Sequence, residues 1–157
     1  MMAIITDAKG NTFLEFLKIT EEELEQVSLD APLTHSLIVV TYQNKYLFIL
    51  NKWNHIWELP GGVIEAGESA RTCVTRELFE ETNQSAQNII FKGLMKFDLQ
   101  PGFHGPKRIE YGALFAGQLD SLNEFEENDE SEKIILWDGL SDIGHIQEID
   151  KKLIEFI

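Results

Sequence analysis

Three glutamates crowd one short stretch of this 157-residue chain: Glu77, Glu80 and Glu81, with Arg76 immediately before them and Glu68 further upstream. On a helical wheel of about 100° per residue with Glu77 at zero, Glu81 falls at about 40° and Glu80 at about 300°. Ala70, Val74 and Cys73 fall at about 20°, 60° and 320°, so the acids overlap the apolar stripe instead of opposing it. Phe79, at about 200°, predicts cover on the other flank as well. Three helical glutamates ordinarily form a solvated face, and the wheel argues against that here. Carboxylates spaced i, i+3 and i+4 repel, and partial burial penalises each charge further, so protonation or a bound cation must relieve the strain. With only oxygen donors at hand, magnesium is favoured over zinc, with manganese as the alternative.

The elements around this stretch follow from local signals. Ser69 is a good N-cap, and Asn83 tolerates the left-handed conformation at a helix end, so the spacing predicts a helix from Ser69 through Thr82 to Asn83. The preceding "NKWNHIWELPGG" reads as a sharp loop, because Pro60, Gly61 and Gly62 break any regular pattern. Upstream, "SLIVVTYQNKYLFIL" predicts two strands joined at Gln43-Asn44-Lys45. Downstream, "NIIFKGLMKFDL", "RIEYGALFAGQL" and "KIILWD" predict strands, the first two flanking the loop "QPGFHGPK". The acidic stretch "NEFEENDESEK" reads as a solvated loop, and "DIGHIQEIDKKLIEFI" as a terminal helix. Residues 1–33 form an N-terminal extension in which "TFLEFLKI" predicts a strand and "TEEELEQV" a short acidic helix. No repeat or linker divides residues 1–157, which predicts a single domain.

The composition excludes several classes. Lysine and arginine number 13 against 27 acids, a formal net charge of -14, which lacks the basic stripe that binds polymeric nucleic acid. A small anionic substrate requires local cations, a metal included, to overturn that average field. No apolar run approaches the ~20 residues of a membrane span, and the N-terminus shows no secretory or transit signal. Cys73 is the one cysteine, so the expectation is a reducing, cytoplasmic setting, with Cys73 a small buried hydrophobe.

The spacing from Gly62 to Glu68 to Arg76-Glu77, followed by Leu78, Glu80 and Glu81, resembles the Nudix box, over residues 62–84. The "WELPGG" before it and the strand from Glu132 to Trp137 are similar to that family too. The resemblance implies an α/β fold, a Nudix-type α/β/α sandwich with a mixed β-sheet, and the box as a loop-helix-loop. Two positions depart from the family pattern, which usually has glycine at Asn83 and an aliphatic residue at Gln84. Neither departure removes a charged group.

By the same resemblance the activity is hydrolysis of a diphosphate joined to another group, with water attacking phosphorus. Glu77, Glu80 and Glu81 would hold magnesium. Glu77 is a ligand or the base, and Glu132 or a neighbour in the acidic loop is the other candidate base. Arg76 has the fork to orient Glu77 and Glu68 by ion pairs. Gly61 and Gly62 leave the backbone open to phosphate. His104, Lys107 and Arg108 are candidates for phosphate or base contact, a solvated loop being the plainer account. Trp53, Trp57, Phe103 and Tyr111 are candidate stacking partners for a nucleobase, with core packing the alternative for each. A nucleoside triphosphate, damaged ones included, is the first substrate expectation, and ADP-ribose or a nucleotide sugar the second. A catalytically silent nucleotide-binding module is the reading from another class. A homodimer could form if the N-terminal strand pairs across subunits, while the same strand could instead extend its own sheet.

Overall fold

A hairpin in the middle of the chain sets the frame. In the computed structural model, which describes residues 2–157, β3 (Leu33–Tyr42) turns into β4 (Lys45–Asn51). The turn is made by Gln43 and Asn44 at φ 51° and 63°, the two left-handed conformations that a two-residue hairpin needs. The strands pair only at Thr41↔Tyr46 and Tyr42↔Lys45 and then diverge. On its freed side β3 pairs with β6 (Gly61–Val63), and β4 pairs with β5 (Trp57–Glu58) and β9 (Ser131–Trp137). The other side of β3 runs parallel to β8 (Arg108–Gln118), which continues antiparallel to β7 (Gln87–Leu99). β2 (Thr12–Leu17) and β1 (Ile5–Thr6) complete the sheet beyond β7.

Each face of this mixed sheet is covered. Ala70, Val74 and Leu78 of α2 (Ala70–Thr82) pack on Ile38, Val40, Leu47 and Phe115. Ile149 and Leu153 of α3 (Glu148–Leu153) pack on Val39, Phe48, Leu114 and Trp137. Each Val, Leu, Ile or Phe so buried contributes about 1.5–3 kcal/mol over leaving the side chain in water, and the result is the expected α/β/α sandwich. The N-terminal strand extends its own sheet. After it, α1 (Glu21–Leu24) is closed by a Thr20–Glu23 capping box and docks on α2, where Arg71 grips Glu21 at 2.9 and 2.7 Å.

Two segments differ from expectation. The stretch expected to be a plain loop at 51–62 contains β5 and part of β6, because its backbone finds ladder partners in β4 and β3. The terminal helix begins only at Glu148. Before it, residues 143–147 run as a strap along β5: Trp57 N–H donates to His145 O and Gln147 N–H to Trp57 O, each at 2.9 Å. Pairing with β5 competes with helix for these backbone groups.

Candidate metal centre

Helix α2 is cut to length by its own sequence. Ser69 Oγ accepts from Thr72 N–H at 3.0 Å, and Asn83, at φ 63°, ends the helix in the left-handed conformation. Within it Glu77 and Glu81 are buried, 8% and 4% exposed. The Glu80 side chain is 58% exposed and reaches Arg76 Nη1 at 3.1 Å. Two of the three acids therefore sit in the apolar seam. Glu80, at the far side of the wheel from Val74 and Leu78, occupies its rim.

The two inner carboxylates are met by the glycine loop. Gly61 N–H donates to Glu81 Oε1 at 2.9 Å. A Cβ on Gly62 would lie 2.6 Å from Glu77 Cδ, and one on Gly61 would lie 2.2 Å from Ser36 O. Both glycines are thus required for the loop to close on the carboxylates and on β3, a constraint distinct from the approach of phosphate.

Arg76 arranges the rest. Its Nε and Nη2 donate to Glu68 at 2.7 and 3.0 Å, and its Nη1 to Glu77 Oε1 at 2.8 Å. Nη2 also reaches Val63 O at 3.3 Å, which ties the fork to the loop backbone. The guanidinium holds the Glu68 carboxyl down at about 2. Burial instead pushes Glu77 upward, against the pull of Arg76. Glu81 is pushed up to about 9, chiefly by burial, with the Gly61 N–H opposing and Glu77, Glu130 and Glu58 adding to the rise.

A third acid completes the cluster. Glu130, in the acidic segment before β9, brings a carboxylate oxygen to Glu77 and Glu81 so that all three lie within 4.8 Å of one another. An all-oxygen set of this compactness, two of its members buried and resisting ionisation, fits a hard divalent cation. The sequence pointed to Glu132 or a neighbour in the same segment. Glu132 faces His55 instead, at 3.4 Å, and the neighbour brought to the cluster is Glu130. Strand alternation puts 130 and 132 on one side in a regular strand, but β9 begins only at Ser131, so the register of Glu130 is set by its loop.

The remaining candidates are engaged within the β7–β8 hairpin. Lys107 pairs with Asp98 at 2.7 Å, Arg108 bonds Pro106 O at 3.0 Å and Glu110 at 3.5 Å, and His104 packs edge-on against the exposed Phe103. Of the aromatic candidates, Trp57 and Tyr111 belong to the core. Trp53 is 78% exposed, and its indole N–H donates to Asp129 O at 3.2 Å, one residue from Glu130.

A family model of the NUDIX domain matches residues 32–157. A Bacillus subtilis protein provisionally named 8-oxo-dGTP diphosphatase is 30% identical over 82 residues, 52% of this chain and 53% of that relative. The chain thus spans about half the length of that curated relative. Among solved structures, a pyrophosphohydrolase from Bacillus subtilis superposes with a TM-score of 0.72 at 19% identity, over 96% of this chain and 89% of that one. A bifunctional NMN adenylyltransferase/ADP-ribose pyrophosphatase from Francisella tularensis, complexed with AMP and a manganese ion, superposes at 0.58 with 22% identity, over 86% of this chain and 43% of that one.

Proposed function

The chain belongs to the Nudix family, and from that premise we propose that it is a magnesium-dependent pyrophosphohydrolase cleaving a diphosphate linkage in a nucleoside triphosphate or a damaged form of one. The observation that carries this reading is the convergence of Glu77, Glu81 and Glu130 within 4.8 Å, with burial penalising the charges of Glu77 and Glu81 so that a proton or a cation must offset them. The relative named as an 8-oxo-dGTP diphosphatase supports the substrate class.

Glu77, Glu81 and Glu130 would hold the divalent ion, with Glu80, on the rim beside Arg76, the further candidate ligand. Magnesium, or manganese in its place, would supply charge neutralisation at the diphosphate and a more acidic water when bound there. With one Glu77 oxygen taken by Arg76, the other would be left for the cation or for the proton of the attacking water. Arg76 keeps Glu77 aimed by bonding it and Glu68 at once. Gly61 fixes one oxygen of Glu81 through its N–H. Trp53 offers an aromatic face to a base beside the cluster.

The test is a panel of nucleoside triphosphates, ADP-ribose and nucleotide sugars, with phosphate or pyrophosphate release measured in magnesium or manganese. Turnover of a triphosphate should be metal-dependent and fall at least about a hundredfold in Glu80→Gln. Wild-type turnover in that variant would remove Glu80 from the ligand set. Tight binding without turnover of any compound would favour the silent regulatory module.

A further inference from the structure

Glu130 is exposed and lies outside regular structure, so something must hold it against two buried carboxylates. Its segment is fastened to the C-terminal end of α2 by side-chain amides. Gln84, fully buried, donates through Nε2 to Thr82 O at 3.0 Å and Asn123 O at 2.8 Å, and accepts Asn123 N–H on Oε1 at 2.8 Å. Asn83 Nδ2 donates to Glu124 O, and Asn123 Nδ2 donates back to Asn83 O, both at 2.9 Å. Asn128 Nδ2 bonds the carbonyl of Glu81 itself at 3.1 Å, while its Oδ1 accepts the N–H groups of Glu130 and Ser131 at 3.0 and 2.9 Å. From the opposite side Lys52 N–H donates to Glu130 O at 2.9 Å.

Apart from Gln84 Nε2 to Thr82 O, every one of these bonds at the end of α2 joins the two residues after Thr82, or the backbone of Glu81, to the segment 123–131. A buried amide meeting a backbone N–H and a backbone C=O of one residue fixes that residue in two directions, and leaving either group unpaired costs on the order of 1–3 kcal/mol. We propose that Asn83 and Gln84, with Asn123 and Asn128, form an amide clamp that positions Glu130 as the third carboxylate of the metal centre. The clamp rests on the reading of Glu77, Glu81 and Glu130 as metal ligands. It couples helix and loop, so the cluster is assembled by the fold before any cation arrives. Gln84 and Asn83 are positioning residues and touch neither metal nor substrate.

The test is a double-mutant cycle on the full chain, with Mn2+ affinity measured by calorimetry for wild type, Glu130→Gln, Gln84→Val and the double variant. Each single change should weaken Mn2+ at least about tenfold. The double variant should be no weaker than the weaker single variant, since both changes act through one carboxylate. In the metal-free protein, Gln84→Val should also speed amide hydrogen exchange at Asn123, Glu130 and Ser131 while leaving Val74 and Leu78 protected. Asn83→Gly, which retains the left-handed turn and deletes only the bond to Glu124, provides the same comparison if Gln84→Val fails to fold. Additive losses, or unchanged exchange at Glu130, would mean a purely structural role and overturn the clamp. If Glu130→Gln binds Mn2+ as wild type does, the ligand assignment itself falls and the clamp with it. If Glu130→Gln weakens binding and Gln84→Val does not, the clamp alone falls.

Discussion

On the proposed reading, Glu81 would set the terms on which a cation enters. Its carboxyl is pushed up to about 9, above its ordinary value of 4.5, so the metal-free protein holds that proton at neutral pH. A cation needs the ionised form and must expel it. Calorimetry in buffers of different ionisation enthalpy at pH 7 should therefore show about one proton released per divalent ion, with affinity rising as pH approaches about 9. Glu81→Gln should abolish both effects; an unchanged proton release would assign it elsewhere. Gly62 makes the complementary demand on space. Gly62→Ala drives a Cβ to 2.6 Å from Glu77 Cδ, and the Glu77 carboxyl must move to relieve it. Turnover should fall at least about tenfold while the melting temperature drops by only a few degrees, because the collision is confined to the site.

At the scale of elements, helix α3 and the strap before it hold the loop that carries the glycines. Asp150 of α3 accepts Leu59 N–H on Oδ2 at 2.9 Å, two residues before the Gly61 amide that grips Glu81. Burial, reinforced by the Glu58 carboxylate and opposed by that N–H, pushes Asp150 up to about 7 from an ordinary 3.8. The folded chain then binds more protons than the unfolded one between those values. Its contribution to stability is full below about pH 4 and is lost as pH rises through about 7. Asp150→Asn keeps an acceptor for Leu59 and removes the charge, so urea unfolding should show the variant more stable at pH 8 and less dependent on pH between 4 and 8. Parallel curves for variant and wild type would exclude Asp150 as the source. Helix α2 has a matching anchor at its start, where Arg71 joins Glu21 of α1 and the carbonyl of Ile89 at 2.9 Å, binding the N-terminal extension to the helix that bears the site.

For the whole molecule, the net charge of -14 opposes the approach of a polyphosphate. On the proposed reading, Arg76 and a bound cation would offset that charge locally. Screening should then help the substrate. At saturating metal, kcat/KM for a nucleoside triphosphate should rise between ~10 and ~150 mM monovalent salt, as the Debye length shortens from about 30 to 8 Å. A fall over that range would reveal a cationic approach path outside the cluster. Among the described residues no helix is long and apolar enough to cross a membrane. β2 pairs with β7 along its own sheet, the arrangement weighed against pairing between subunits.

Most elements of the fold and the burial of Glu77 and Glu81 were legible because their signals are local, while the layering of the sandwich was implied by the family resemblance. Periodicity placed Glu77 and Glu81 among apolar residues on one helix, Ser69 and Asn83 marked its ends, and the run from Gly62 to Gln84 carried the family. A wheel treats all three glutamates alike, however, and only packing separated buried Glu77 and Glu81 from Glu80 at the rim. The choice of Glu130 over Glu132 also depended on tertiary structure, since no helical or strand period extends through residues 123–130. Their placement comes from the amides of Asn83, Gln84, Asn123 and Asn128, contacts between positions some forty residues apart. The sequence by itself determined a helix with carboxylates set against its apolar side, a donor set suited to a hard cation, and its resemblance to the family implied the sandwich around it. Which carboxylates meet, and what holds the third in place, was decided by tertiary structure, because hydrogen bonds across a loop follow from its closure in space and leave no periodic trace in the chain.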